Sequence, residues 1–299
     1  MKIKVLALSY LFPNKDNPDY GIFVFNRLKA VAKQCDGRII APLQWFPLFN
    51  KYRRAAGGKK IGNYEKFGEL DVFYPRFFSI PKFFKWVDSF TYFLSIIPTV
   101  CFLKYKQKFN FDVVDVHWTY PDILAGYLIA KIYRKKLIVT IRGKEALYPG
   151  EVGGRKLILD WCLKRADVVV NLSSELEGLV HQIGVSSDRT KVIYNGVDLA
   201  QFTYRDKQKA RAILNLPEDR KILLSVGSLI RRKGHDELIK SMSALSRNVD
   251  IDLYIVGGIN PEGDYSAELK SLATTHGASN IHFIETLNHD QLSIWYAAA

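Results

Sequence analysis

Short β-branched runs alternate with stretches of helical period along this 299-residue chain, and no other feature constrains its fold as tightly. The pattern predicts strands over 3–8, 38–41, 70–74, 113–117, 137–141, 167–171 and 191–194. Helices are predicted between them, over 22–34, 83–106, 121–133, 154–165 and 174–183. The uninterrupted apolar runs Leu137-Ile138-Val139 and Val168-Val169-Val170 suit parallel strands covered on both faces. A break follows Asn195-Gly196-Val197-Asp198, and residues 201–220 are polar with one short amphipathic piece. The alternation then restarts, with strands over 221–226, 251–256 and 281–284 and helices over 235–246, 265–276 and from 290 onward. The last residues, Trp295-Tyr296-Ala297-Ala298-Ala299, are apolar helix formers with no stop signal. The expected fold is α/β: two Rossmann-like doubly wound domains, the second incomplete. The first is expected over 1–198 and the second over 199–299, in keeping with a prior of ~150 residues per domain. Ligands of such sheets bind beyond the carboxyl ends of the strands.

Charge divides the chain further. Lys and Arg number 43 against 30 Asp and Glu, a net charge of +13. Residues 1–110 hold 19 basic and 7 acidic residues, while the remainder holds 24 and 23. Arg53, Arg54, Lys59, Lys60 and Lys66 cluster around Gly57-Gly58. Lys82, Lys85, Lys104, Lys106 and Lys108 flank the aromatic residues Phe77, Phe78, Phe83, Phe84, Trp86, Phe90, Tyr92 and Phe93. Basic residues among large aromatics suit an anionic membrane surface. A solvated face over an ordinary aromatic core gives the same composition. Single-stranded nucleic acid is set aside, because no nucleic-acid motif accompanies the charge.

The cysteines Cys35, Cys101 and Cys162 are far apart, which favours buried, reduced thiols and a reducing compartment. The apolar N-terminus is too short for a signal peptide and reads as a first strand. The longest apolar run, 90–103, is shorter than the ~20 residues of a membrane span and contains Pro98, so no transmembrane helix is expected. The expected location is cytoplasmic, peripheral on the inner face of the cell membrane.

The strongest local motif is Val226-Gly227-Ser228-Leu229-Ile230-Arg231-Arg232-Lys233-Gly234. A buried strand ends at Gly227, a basic loop follows, and a helix then points its positive end at the same spot. Arg231, Arg232 and Lys233 suit a diphosphate; the plainer reading is a solvated basic turn. Gly21 opens a helix after a long loop, but G-x-G-x-x-G is absent, which disfavours a nicotinamide enzyme. His117 ends a predicted parallel strand, where chemistry occurs in such folds, or else it is a loop histidine bonded to backbone. Arg142, Gly143, Lys144 and Glu145 end the next strand in the same way. The two cations suit an anionic substrate, and Glu145 suits a base or a helix N-terminus. Asp250-Ile251-Asp252 opens a strand and reads as a turn, and the His and Cys residues show no metal spacing.

Several segments in order resemble glycosyltransferase family 4, retaining enzymes of the GT-B fold. They are Asn17-Pro18-Asp19-Tyr20-Gly21, Asp112-Val113-Val114-Asp115-Val116-His117-Trp118, Thr140-Ile141-Arg142-Gly143-Lys144-Glu145, Tyr194-Asn195-Gly196-Val197-Asp198, and the basic loop ending Arg232-Lys233-Gly234-His235. The resemblance implies a nucleotide-diphosphate sugar bound by the second domain. Its diphosphate would lie on Gly227 and Lys233 with Arg231 or Arg232, and its base would face Ile284, Glu285 and Thr286. It implies an acceptor near Gly21, His117, Arg142 and Gly143, with His117 catalytic, retention of configuration, and no metal or other cofactor. The acceptor class implied is a polysaccharide or lipid-linked glycan of bacterial cell-surface assembly. Ser228 stands where the family often has Arg, and Glu285 where it often has Gly. The family's Glu-x7-Glu stretch falls beyond Ala299, so this length of chain is expected to be inactive or weakly active. The reading of a different class is a non-catalytic nucleotide- or polyanion-binding protein.

Overall fold

The computed structural model describes residues 2–18, 20–46, 61–79, 85–147, 153–245, 249–259, 263–276 and 280–299. The basic cluster at 53–60, Asp19, Lys82, Phe83 and Phe84 lie outside the described residues, as does the Glu145 side chain. The chain divides into two units, Met1–Gly196 and Val197–Ala299.

The first unit is an eight-stranded sheet. Its strands are β1 (Lys4–Leu8), β2 (Asp36–Ile40), β4 (Tyr64–Phe67), β5 (Leu70–Phe73), β7 (Val113–Val116), β8 (Lys136–Ile141), β9 (Val168–Asn171) and β10 (Thr190–Val192). The order is β10-β9-β8-β7-β1-β2-β5-β4, parallel throughout except for β4 against β5. Two further short strands, β3 (Leu43–Trp45) and β6 (Arg76–Phe78), pair with each other. The pattern did not predict β3, β4 or β6. Runs of three or four residues carry too little periodicity, and the β3–β6 pairing is distant in sequence.

Helices α1 (Ile22–Ala32), α2 (Asp88–Cys101), α3 (Asp122–Tyr133), α4 (Lys144–Leu147), α5 (Gly154–Leu163) and α6 (Ser174–Ile183) complete the unit. Ser173 caps α6 by accepting from the Leu176 N–H, and Gly184 ends it in the left-handed region. Leu6, Leu8, Val114, Val116, Val139 and Ile141 are fully buried beneath the helices, as strands covered on both faces require.

One sequence expectation is corrected. Pro98 does not interrupt the apolar run: it sits inside α2, which a 3-10 turn (Lys85–Val87) precedes and a π-helical turn (Phe102–Lys106) extends. The continuous helical run of 22 residues is long and apolar enough to cross a membrane. Its inner side chains Tyr92, Ile96, Val100 and Leu103 are nonetheless fully buried in the domain core. Each contributes roughly 1.5–3 kcal/mol, which holds the helix on the sheet. Of the thiols, Cys162 is buried, whereas Cys35 and Cys101 are only half-buried; all three are free.

Asp122 begins α3 fully buried, and its Oδ2 accepts the Tyr10 N–H at 2.7 Å. Burial raises its carboxyl to about 8, against the hydrogen bond from the Tyr10 N–H. Below an unfolded value of about 4 both states are protonated and stability is full. Between about pH 4 and 8 the unfolded chain releases this proton while the folded chain keeps it, so stability falls as pH rises. Chemical denaturation at pH 5 and pH 8 is expected to show that loss, and Asp122→Asn is expected to flatten it. An unchanged slope in the variant would remove Asp122 as the cause.

The second unit is a parallel sheet in the order β11 (Lys221–Val226), β12 (Ile251–Val256), β13 (Ile281–Ile284). Its helices are α7 (Lys207–Ile213), α8 (His235–Leu245), α9 (Ser266–Thr275) and α10 (His289–Ala298). Asn288 and Gln291 form a capping box at the start of α10. Asp252, in the D-x-D triplet, is buried and pairs with Arg220 at 2.8 Å, a structural use of the residue.

Candidate functional site

In the first sheet the direction of winding reverses between β1 and β7, and the loops leaving those two strands meet there. The His117 N–H donates to the Leu8 carbonyl at 2.9 Å, joining them. Gly21 starts α1 at φ 70°. A Cβ there would lie 2.5 Å from the Leu11 carbonyl carbon and oxygen, so only glycine lets the helix begin against the β1 loop.

His117 is fully buried. Its Nε2 lies 2.9 Å from Asp115 Oδ2, and its Nδ1 lies 2.8 Å from an Arg142 guanidinium nitrogen. A guanidinium only donates, so Nδ1 accepts and Nε2–H donates to Asp115. Arg142 Nε also donates to the His117 carbonyl at 3.1 Å. Both ring nitrogens are thus engaged, and the imidazole bridges Asp115 to Arg142. As placed, His117 positions Arg142 and offers no free nitrogen to a substrate.

Arg142 packs over the Phe23 ring at 5.3 Å. Burial and the neighbouring charge of Arg27 lower its guanidinium to about 10, against the pull of Asp115. Burial pushes the Asp115 carboxyl up, but His117, Arg27 and Arg142 together bring it below the usual range. Two guanidiniums against one carboxylate leave this edge net positive, which favours an anionic or electron-rich oxygen. Lys144 pairs with Glu175 at 2.7 Å in an exposed ion pair, a different partner from the anionic substrate expected for it. Gly143 lies in the same loop, half-buried. Sequence reasoning missed Asp115 and Arg27. The first was legible, since it stands two residues before His117 and strand residues two apart share a face. The second comes from another element and gave no signal.

In the second unit all three loops at the carboxyl ends of the strands come together. The Gly227 N–H donates to the Val256 carbonyl and the Gly257 N–H to the Ile284 carbonyl, each at 3.0 Å; Leu229 N–H reaches the Gly258 carbonyl at 2.9 Å. Gly257 packs so closely that a Cβ would lie 1.9 Å from the Gly227 oxygen. The Lys233 side chain lies along Gly227, and Thr286 stands beside Gly258. Arg231 stacks on Tyr265 at 4.6 Å. Arg231, Arg232 and Lys233 are exposed, as is Glu285 after the half-buried Ile284. They precede the N-terminus of α8, where the helix dipole favours an anion. His235, the first residue of that helix, is buried and meets Ser225 Oγ at 3.1 Å through Nδ1. Its Nε2 has no hydrogen-bond partner among the described residues. The structure thus joins the predicted basic loop to the predicted base loop, and adds Gly257 and Gly258, which sequence reasoning did not single out.

Two Rossmann-like α/β units, each with its polar loops at the carboxyl edge of a parallel sheet, define the class: the GT-B glycosyltransferase fold. Residues 64–201 match the description Glycosyltransferase Family 4, and residues 206–299 match Glycosyl transferases group 1. A D-inositol 3-phosphate glycosyltransferase of Catenulispora acidiphila is 31% identical over 214 residues, covering 64% of this chain and 49% of that protein. Sucrose-phosphate synthase from Thermosynechococcus elongatus shares the fold at a TM-score of 0.72 and 19% identity, over 100% of this chain and 74% of that one. Anabaena HepE, solved with UDP, does so at 0.67 and 18%, over 100% and 72%. The chain belongs to the family 4-like glycosyltransferases of the GT-B fold. It spans about half the length of the first of these relatives, 49%.

Proposed function

We propose that this chain carries the acceptor-side domain and the sugar-nucleotide loops of a retaining glycosyltransferase. The donor is a nucleotide-diphosphate sugar, and the acceptor is a polysaccharide or lipid-linked glycan. The observation that carries this reading is the polar edge of the second unit, where Lys233 lies along Gly227 beside the Gly257-Gly258 and Thr286 loops. There the Lys233 ammonium and the Arg231 and Arg232 guanidiniums hold the diphosphate at the start of α8, and the base lies toward Ile284, Glu285 and Thr286. As the sugar departs, charge grows on the diphosphate, and these fixed cations stabilise it without a metal. The acceptor lies at the net-positive edge formed by Gly21, Arg142 and Gly143, with His117 and Asp115 holding Arg142 in place. The excess basic charge of the N-terminal region supports a position on the inner face of the membrane.

Calorimetry with UDP tests the donor site. Lys233→Ala is expected to weaken binding roughly tenfold or more, the loss of a charge-assisted contact to phosphate. Indifference to that change would sink the donor assignment. The exposed run Arg231, Arg232 and Lys233 also favours non-catalytic polyanion binding. Inorganic polyphosphate binding as tightly as UDP would support that second reading.

A further inference from the structure

We infer that the outer face of the α2–α3–α5 helix layer is a docking surface for an anionic lipid bilayer. In this layer α2 packs on α3, α3 on α5, and α5 on the 3-10 turn before α2. Trp86 joins the ends, since a Cβ on Gly154 would lie 3.1 Å from it. Outward on the 3-10 turn and on α2 stand Trp86, Phe90 and Leu94, spaced four apart; outward on α5 stand Leu157 and Trp161, also four apart. Leu94 is 62% exposed and Leu157 72%. The Trp86 and Phe90 rings meet edge-on at 6.1 Å, and Trp161 meets Tyr127 at 4.8 Å. A helix that is apolar all round needs cover on every side. Among the described residues, the core, β6 and α3 cover the inner side of α2, and the outer apolar face is left for a partner.

Charge identifies that partner. Residues 85–106, 122–135 and 154–165 hold ten Lys and Arg against three acidic residues. Two of the three, Asp88 and Asp122, are buried, and the third, Asp160, pairs with Lys156. Arg165 lies over the Trp161 ring at 4.3 Å. Apolar and aromatic side chains inside a basic rim match an interface of acyl chains and anionic headgroups. A second copy of the chain would bring the same positive charge and be repelled. The helix lies on the bilayer rather than crossing it, because Tyr92, Ile96, Val100 and Leu103 are held in the core. The tertiary structure also relocates the surface read from sequence: Phe77 and Tyr92 are buried, and α5 supplies two of these five exposed apolar residues, Leu157 and Trp161.

Co-sedimentation with vesicles of phosphatidylcholine and phosphatidylglycerol at low salt tests this. Wild type is expected to bind these and to ignore pure phosphatidylcholine. Leu94→Gln with Leu157→Gln is expected to weaken partition roughly tenfold or more. Leu199→Gln, an exposed apolar site in the other unit, is expected to leave it unchanged. Quenching of tryptophan by brominated lipid is expected to fall in Trp86→Phe with Trp161→Phe. A native circular dichroism spectrum shows that each variant is folded. The proposal is overturned if wild type ignores anionic vesicles, if the glutamine pair binds them as wild type does, or if that pair instead abolishes a dimer. A wild type that binds vesicles but not UDP would remove the donor reading and leave this surface standing.

Discussion

Gly257→Ala is expected to weaken UDP binding by ~100-fold or more, as a misplacement of about 1 Å at a site can do. The new Cβ would lie 1.9 Å from the Gly227 carbonyl oxygen, a backbone atom that cannot rotate away. Both strand ends are tied, Gly227 to Val256 and Gly257 to Ile284, so relief requires the loops to part. That separates Lys233 from the Thr286 side of the edge. Overpacking adds roughly 1–3 kcal/mol of destabilisation, confined to the second unit. Gly258→Ala is the matched control. Its Cβ would meet Thr286 Oγ1 at 2.4 Å, a side-chain atom that can turn, so the loss there is expected to stay within ~10-fold. Calorimetry on both variants separates the outcomes. Wild-type affinity in Gly257→Ala would show that the loops do not act together on the nucleotide.

Asp115→Ala is expected to destabilise the first unit by about 3–5 kcal/mol, because it leaves buried positive charge without its counter-ion. Asp115 is the carboxylate facing Arg27, Arg142 and the His117 ring. Urea denaturation measures the loss. Adding Arg27→Met is expected to restore part of it, since the two sites share one electrostatic network. A strictly additive double variant would mean that Arg27 is not coupled to this carboxylate. The Asp115 contribution is present above the unfolded carboxylate value and disappears as pH falls below it. It is therefore opposite in sign to that of Asp122 and falls in a separate pH range.

The parallel strands were legible because an uninterrupted β-branched run has few alternatives once helical stretches flank it. β11, β12 and β13 follow their predicted bounds. The helix predicted over 83–106 is present through Pro98, as a run over 85–106; what the apolar run 90–103 understated is its length, because the 3-10 and π turns at either end, held by the core, extend it. At the site, Lys233 and Gly21 stood out through their place in a strand–loop–helix unit. Asp115 and Arg27 did not, because their meaning depends on which other side chain arrives beside them.

By itself, then, the sequence determined the strand–helix alternation and the basic loop before α8. Each depends on neighbours close in the chain, where periodicity and helix polarity act directly. Only the tertiary structure decided that His117 is enclosed between Asp115 and Arg142, that Gly257 abuts Gly227, and that α2 and α5 share one outer apolar face. Those contacts join residues distant in sequence, and sheet order and close packing, not local pattern, bring them together.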